Sequence, residues 1–319
     1  MSRVPEAIPV KEIAVVADID EQEEMEKIMQ SARTIKNIRS EIQKINNLPP
    51  LPMVAQQLLG AINDKEATIE GIARIIKQDP ALTSRILGLA NSAFFGFGRK
   101  VFDLEQAIIN VLGLDLVKGL ALTMVMGKVF DENKCRDFDI TRYWGSALMT
   151  ADLAMRTAVI IKTTKQMNKT HLFLYGLLHN LGVLILTDRY PELMGEIFSI
   201  AKKHPDRRLI FTEQAMLDMD HHQAGAWLAR KWQLPEEAIT VIEHHQYPDY
   251  QGHYRYETLM IGFCSRTTRN WILGKDILLP DEDNVLSQLG VDKQKMEIIA
   301  EKSRSKLEEF RDMAREMAR

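Results

Sequence analysis

Apolar side chains recur every three or four residues along most of this chain, and no stretch alternates apolar and polar residues as a β-strand does. This spacing places the apolar side chains on one face of an α-helix. Residues that favour the start of a helix occur within the same pattern. Thr68 and Asp79 are suitable N-caps, and Pro80 suits a first helical turn. The sequence therefore predicts an all-α protein.

The helix signals divide into two units. Residues 42–130 predict an N-terminal lobe of about five short helices, which begins at a proline-rich extended segment. A polar break separates this lobe from a second helical lobe over residues 140–250, in which single helices are expected over 171–188 and 212–232. The two lobes together are predicted to form one domain over residues 42–250.

The two ends of the chain are predicted to be helical segments outside this domain. Residues 1–41 predict a tail that leads into an amphipathic helix over 20–45, and residues 251–319 predict a C-terminal helical extension with one helix over 292–319. We expect each segment to dock on its own chain or to form a self-association surface. Removal of residues 292–319 is then expected to change the oligomeric state or partner binding and to leave the core folded. The last helix carries a methionine-rich apolar stripe, formed by Met296, Ile299, Leu307, Phe310, Met313 and Met317.

Composition excludes several classes of function. The 41 basic and 44 acidic residues give a net charge of -3, so the chain lacks the basic surface that nucleic acid or an anionic membrane attracts. No apolar run approaches the ~20 residues of a membrane span. The N-terminus has no secretory signal pattern, and Cys135 and Cys264 form no CxxC pair. We therefore expect a cytoplasmic protein that binds neither nucleic acid nor membrane.

One string in the first lobe is distinctive. Residues 76–96 read IKQDPALTSRILGLANSAFFG and resemble the signature of the HDOD family, the HD-related output domains of bacterial signalling. The segment GLLHNLG at residues 176–182 resembles the same family, and the resemblance covers about residues 42–250. It implies an all-α fold with a helical N-terminal half and an HD-like C-terminal half. It also implies a signal-transduction output or scaffold module that needs no cofactor.

The resemblance extends to the HD phosphohydrolases, in which a His-Asp pair on one helix holds a divalent metal that activates water. All eight histidines of this chain lie between His171 and His253, which favours metal chemistry. The Asp of the pair, however, is Asn180, whose neutral amide brings no negative charge to a hard cation. The positions that resemble the ligand set form a vestigial cluster, composed of His179, Asn180, His221 and the pair His244 and His245.

Two further ligand positions are lost. The stretch that begins at Tyr143 has Gly145 where the HD pattern has a histidine, and residues 261–266 contain no acid where it has an aspartate. A catalytic metal site needs about three protein ligands, an open position and supporting hydrogen bonds. We therefore predict no catalytic residue and no bound metal, except divalent metal that the histidines trap adventitiously.

Structural roles are expected for the candidate residues to which no catalytic or metal-binding role is assigned. His179 is predicted to be a core histidine that is hydrogen-bonded across the former metal pocket. His244 and His245 are predicted to lie at the end of their helix, where a cation is favoured. The remaining candidates are three phenylalanines that either plug the seam between the lobes or form a contact for a partner, namely Phe94, Phe95 and Phe97.

Three functions remain open at this stage. The first is a non-catalytic signalling output or scaffold module that binds a protein partner or a second copy of itself as a homo-oligomer. The second is a metal-dependent phosphohydrolase that acts on a nucleotide or a cyclic dinucleotide. The third is a ligand-sensing module that uses the former active-site cleft without turnover. The metal content of the purified protein separates the first two functions, because only the phosphohydrolase needs tightly bound metal.

Overall fold

The structure is a computed structural model that describes residues 50–318, apart from positions 63, 65, 97, 162–166, 276, 277 and 279–281. The helix expected over residues 20–45 and the side chain of Phe97 therefore lie outside the described residues. Every regular element in the described part of the chain is a helix, which confirms the all-α fold class.

The N-terminal lobe consists of five helices within its described residues, as the sequence predicts. The Thr68 side chain accepts a hydrogen bond from the N–H of Gly71. The Asp79 side chain accepts from the N–H groups of Ala81 and Leu82, so both predicted N-caps are confirmed. The helices are α1 (Met53–Ile62), α2 (Ile69–Ile76), α3 (Pro80–Ala90), α4 (Leu104–Ala107, which continues as a π-helix over Ile108–Leu112) and α5 (Leu114–Gly127).

The second lobe is built around one long central helix, against which several others pack. Two predicted helices are each broken into two. The helix expected over 171–188 is interrupted at His179 and Asn180, and the helix expected over 212–232 ends at Asp218, whose φ of 52° is left-handed. The helices are α6 (Ile140–Thr157), α7 (Lys169–Leu178), α8 (Leu181–Arg189), α9 (Pro191–Lys203), α10 (Leu209–Leu217), α11 (His221–Lys231), α12 (Glu236–His244) and α13 (Arg255–Ile272).

The two lobes meet where α5 crosses α7. Gly119 of α5 faces the ring of Phe173 and the side chain of Leu177, at distances a Cβ could just contact. All three residues are buried, so the seam is part of one continuous core.

The helix expected over residues 292–319 is two helices, separated by a break at Ser305 and Lys306. After a short helix α14 (Asp283–Gln288), the chain forms α15 (Lys293–Arg304) and α16 (Leu307–Ala318). Both α15 and α16 pack on α6, and α16 also packs on α3. The apolar stripe is thus buried against its own chain, with Met296, Phe310 and Met317 each at most 2% exposed. Docking on the same chain is therefore confirmed for these helices.

Phe94 packs against this C-terminal helix. Its ring lies 5.0 Å from the ring of Phe310, and the ammonium group of Lys306 lies 4.3 Å from its centroid. Phe95 lies edge-on to Phe94, also at 5.0 Å. Phe94 thus contacts α16, and whether the phenylalanines plug the seam between the lobes or form a contact for a partner stays a prediction.

The helices α7 and α8 together form a longer apolar segment than was expected from the sequence. Taken together as Lys169–Arg189, it is long and apolar enough to cross a membrane, but 83% of its apolar window is buried inside the protein. This burial is typical of the core helices of a globular domain.

Truncation of Phe310 tests whether α16 belongs to the core. Because Phe310 is 2% exposed and packs on Phe94, we expect Phe310→Ala to lower the free energy of unfolding by about 3–5 kcal/mol in urea titrations. The control Arg311→Ala removes an exposed ion pair with Glu308 and is expected to cost less than about 1 kcal/mol. Equal stability of the two variants would contradict the packing described above.

Because α15 and α16 are packed into the core, removal of residues 292–319 is expected to destabilise the core as well, contrary to the expectation from the sequence.

Candidate functional site

Four buried histidines from the ends of three helices meet at the centre of the second lobe. His179 follows α7, His221 and His222 begin α11, and His245 follows α12. Their exposed fractions are 0%, 6%, 2% and 0% in that order. The ring centroids form a row, with 3.9 Å from His221 to His222, 4.4 Å from His222 to His245 and 5.1 Å from His245 to His179. We refer to these four residues as the histidine cluster.

Glycines allow the helices around this cluster to touch. A Cβ atom on Gly182 would lie 1.7 Å from the carbonyl oxygen of His221, and one on Gly262 would lie 1.8 Å from that of His245. A Cβ on Gly176 would lie 2.4 Å from the backbone of α6. Atoms cannot approach that closely, so each of these contacts requires a residue without a side chain.

His179 is a satisfied core histidine, as predicted. Its Nδ1–H donates to the carbonyl oxygen of Gly176 at 2.7 Å, which fixes the tautomer because a carbonyl can only accept. Its Nε2 then accepts from the hydroxyl of Ser265 at 3.1 Å. Burial, together with the nearby charge of His221, lowers the pKa of His179 to about 4. The ring is therefore neutral near pH 7, and neither nitrogen has a free lone pair.

Glu213 is a buried partner of the cluster that the sequence analysis missed. Its Oε2 lies 2.6 Å from Nδ1 of His221 and also accepts the backbone N–H of His221 at 3.0 Å. Burial alone would lower the pKa of His221, but the charge and hydrogen bond of Glu213 outweigh it, and the net pKa is raised. Glu213 therefore favours the protonated form of His221. No local pattern links positions 213 and 221, since α10 and α11 are separated by a left-handed turn.

The other two members are neutral and incompletely bonded. His245 donates its Nδ1–H to the carbonyl of Val241 at 2.9 Å, and its Nε2 has no partner within the described residues. Neither ring nitrogen of His222 has one. Burial and then the charge of neighbouring histidines lower the pKa of both rings well below the usual range. His245 therefore lies at the end of α12 as predicted and bonds to its last turn, but it does so as a neutral ring and not as a cation.

His222 was not identified as a candidate from the sequence. His244 was identified, but it is not part of the histidine cluster. The ring of His244 stacks on Tyr250 at 4.8 Å and lies 3.5 Å from a carboxylate oxygen of Glu243. Asn180 is half-buried at the start of α8 and makes no side-chain cap bond. The sequence feature that could have pointed to His222 is the pair of histidines that directly follows the N-cap Asp220.

The residues present do not fit the divalent metal of an HD enzyme. Ser265 stands in the stretch where the terminal aspartate ligand was expected, and its hydroxyl is hydrogen-bonded to His179. Gly145, at the other lost ligand position, faces Ala314 of α16 at a Cβ distance of 3.8 Å. Among the described residues, no group of three or more His, Cys, Asp or Glu side chains has a geometry that could hold a metal. The metal content of the protein itself stays a prediction.

Comparison with known proteins identifies the family. A family model described as the HDOD domain matches residues 48–248. The chain belongs to the HDOD domain family. The match contains all four residues of the histidine cluster. It ends before Ser265, which bonds to His179, and before α13, α15 and α16.

Relatives of this HDOD protein include one from Treponema pallidum (strain Nichols), an uncharacterised protein that is 30% identical over 239 residues. The match covers 74% of this chain and 45% of that protein, so the chain spans less than half of that relative's length.

Solved structures share the fold. A candidate signal-transduction protein from Marinobacter aquaeolei VT8 has a TM-score of 0.77 at 21% identity, covering 98% of this chain and 69% of that one. An HDOD domain protein of unknown function from Geobacter sulfurreducens has a TM-score of 0.69 at 21% identity, covering 92% and 98%. A candidate phosphohydrolase from Shewanella amazonensis SB2B has a TM-score of 0.67 at 23% identity, covering 86% and 97%.

The neutral histidines predict a loss of stability in mild acid. An unfolded histidine has a pKa of about 6.5, whereas the pKa values of His179, His222 and His245 are lowered in the folded protein. The unfolded chain therefore binds more protons below about pH 6.5, and the free energy of unfolding falls as pH falls toward 4, by up to about 1.4 kcal/mol per pH unit and histidine. His221, whose pKa is raised, acts in the opposite sense and only above about pH 6.5.

Urea titrations at about pH 6.5 and pH 5 measure this effect in a range where His221 does not contribute. We expect the loss between the two pH values to be smaller in His222→Leu, which removes one of the neutral rings without breaking a hydrogen bond. The control His253→Gln changes an exposed histidine and should leave the loss as in the wild type. A wild-type stability that is constant between the two pH values would show that the cluster takes up protons when folded.

Gly182 provides a direct test of the helix contact. Gly182→Ala forces a Cβ into the backbone of α11 and should lower the free energy of unfolding by about 3 kcal/mol or more. Gly60→Ala is the matched control, because no atom lies within 4 Å of a Cβ at that position in α1. This control should be stabilised by about 0.5–1 kcal/mol, since alanine favours a helix interior over glycine.

Proposed function

We propose that this HDOD domain is a non-catalytic output or scaffold module of a signalling pathway, which acts by binding a protein partner. The observation that carries the proposal is the bonding of His179. One ring nitrogen is taken by the carbonyl of Gly176 and the other by the hydroxyl of Ser265, so the histidine of the former metal pair offers no lone pair to a metal.

Burial of the cluster supports the same proposal. A hydrolase must bring substrate and water to its metal through an open coordination position. The four rings here are at most 6% exposed, and α16 lies against the Gly145 position on one side. The carboxylate of Glu213, which is bonded to the cluster, is engaged by His221.

The proposal also covers the pathway, the partner and the cellular compartment of the protein. The name of the Marinobacter protein, a candidate signal-transduction protein, supports a signalling role. The name of the Shewanella protein favours the alternative, a metal-dependent phosphohydrolase. We assign the chain to the cytoplasm and expect it to act with a protein partner or as a homo-oligomer, without a cofactor.

Activity assays test the proposal against the phosphohydrolase alternative. With Mn, Mg, Fe or Ni, we expect no hydrolysis of nucleotides, phosphoesters or cyclic dinucleotides above background. Asn180→Asp should not restore activity, because Gly145 and the acid-free stretch 261–266 still stand at two other ligand positions. The expected metal content of protein purified without a histidine tag is well below one ion per chain.

The opposite result is equally specific. Hydrolysis that disappears in His179→Ala, together with a tightly bound metal in each wild-type chain, would establish the phosphohydrolase. The Gly60→Ala variant serves as the matched control here, since it lies in the other lobe and should not alter turnover or metal content.

A further inference from the structure

Two large apolar side chains of the first lobe project into solvent at α4. Phe102 is 82% exposed and Ile109 is 61% exposed, and Gln106 between them is exposed as well. Residues three or four positions apart lie on the same side of a helix, so these side chains share one face of the lobe. A single exposed apolar residue is ordinary, but two neighbouring ones of this size indicate a surface that another element covers. We refer to Phe102 and Ile109 as the apolar pair.

A third exposed apolar side chain lies at the start of α1, where Met53 is 70% exposed. One turn later in α1, Gln57 accepts a hydrogen bond from Gln78 at 3.0 Å. The neighbouring Lys77 forms an ion pair with Glu105 of α4 at 2.7 Å. Both α1 and α4 therefore contact the turn between α2 and α3, and the exposed start of α1 and the apolar pair lie on either side of this turn.

Positive charge lies beside the apolar pair. Arg99 and Lys100 come shortly before Phe102, and both are exposed. Neither side chain forms an ion pair in the part of the chain that the structure describes. With the single acid Asp103, residues 99–103 have a net charge of +1. This surface therefore favours an element that combines apolar side chains with negative charge.

The segment that precedes α1 has this composition. Residues 20–45 predict an amphipathic helix, and such a helix is stable when its apolar stripe is buried against another element. Its first part, residues 20–27, contains five acids and one lysine and has a net charge of -4. The apolar stripe of the segment consists of Met25, Ile28, Met29, Ala32, Ile35, Ile38, Ile42 and Ile45.

The connection of the chain brings this segment close to the exposed surface. The structure describes the chain from Pro50, which lies just before Met53. The linker over residues 46–49 can span at most about 14 Å. A helix over residues 20–45 would be about 39 Å long, nearly twice the length of α5. The segment can therefore begin its contact at α1 and extend past the α2–α3 turn to the apolar pair.

We propose that residues 20–45 dock as a helix on this side of the first lobe. Their apolar stripe covers Met53 and the apolar pair, and their acidic end lies beside Arg99 and Lys100. A tethered segment has an effective concentration on the order of millimolar, so it covers the surface in preference to a second copy of the chain at lower protein concentrations. This contact lies in the first lobe, away from the histidine cluster, and goes beyond the proposed function.

Amide hydrogen exchange of the full chain tests the contact. We expect residues 20–45 to be protected in the wild type, equally at low and high protein concentration. The double variant that combines Phe102→Ser with Ile109→Ser should raise exchange there at least about tenfold, because fully burying one such side chain is worth a factor of about ten or more. Exchange in α5 should not change, since both residues are exposed. The matched control Ile298→Ser removes a 65% exposed side chain of α15 and should leave residues 20–45 protected.

Charge reversal tests the orientation of the docked segment. Combining Arg99→Glu with Lys100→Glu should raise exchange in the segment about two- to fivefold, the range expected for exposed ion pairs. Adding Glu23→Lys and Glu24→Lys to the same chain should slow the exchange again. A disturbance of the first lobe by the first two substitutions would not be reversed in this way.

Each of four results overturns the proposal. The first is exchange of residues 20–45 in the wild type at the rate of an unfolded chain. The second is protection that stays unchanged in the double variant of the apolar pair. The third is charge reversal without an effect or without rescue. The fourth is protection that increases with protein concentration, because a second copy then covers the surface. None of these results bears on the activity assays of the histidine cluster.

Discussion

The contact of Gly182 with the carbonyl oxygen of His221 sets the geometry of the second lobe. A Cβ at residue 182 would overlap this oxygen, and a Cβ on Gly225 would lie 2.8 Å from the backbone nitrogen of Gly182. The backbones of α8 and α11 therefore touch, with no side chains between them. Because α11 begins at this contact, the rings of His221 and His222 are carried into the interior, where the other two histidines meet them.

The interior that results is polar, and one ion pair organises its charge. Glu213 and His221 form the pair at one end of the row, and the neutral His179 closes the other end through the Ser265 hydroxyl. Between them, neither ring nitrogen of His222 has a hydrogen-bond partner in the part of the chain that the structure describes, and each unsatisfied buried group costs about 1–3 kcal/mol. The close packing of the surrounding helices offsets this cost. Side-chain packing and hydrogen bonds between its own residues thus hold this part of the second lobe together.

Features that depend on neighbouring residues could be predicted from the sequence, and features that depend on distant ones could not. The N-caps at Thr68 and Asp79 are local hydrogen bonds, so the five helices of the first lobe were recognisable. The role of His179 as a hydrogen-bonded core histidine followed from the acids missing at the other ligand positions. The partnership of Phe94 with Phe310 joins segments more than two hundred residues apart, and no periodicity reports it. The break after α7 was hidden for another reason, because the apolar pattern continues through it without interruption.

Arg85 of α3 donates a hydrogen bond to the carbonyl of Met317 in α16, which lies 232 positions further along the chain. During synthesis at about 5–20 residues per second, α3 emerges roughly 12 to 46 seconds before the helix that covers it. Throughout that interval Phe94 and the neighbouring face of α3 are without their final partner. The nascent first lobe therefore presents an apolar surface to the ribosome exit and to chaperones, and the order of translation decides how long it remains uncovered.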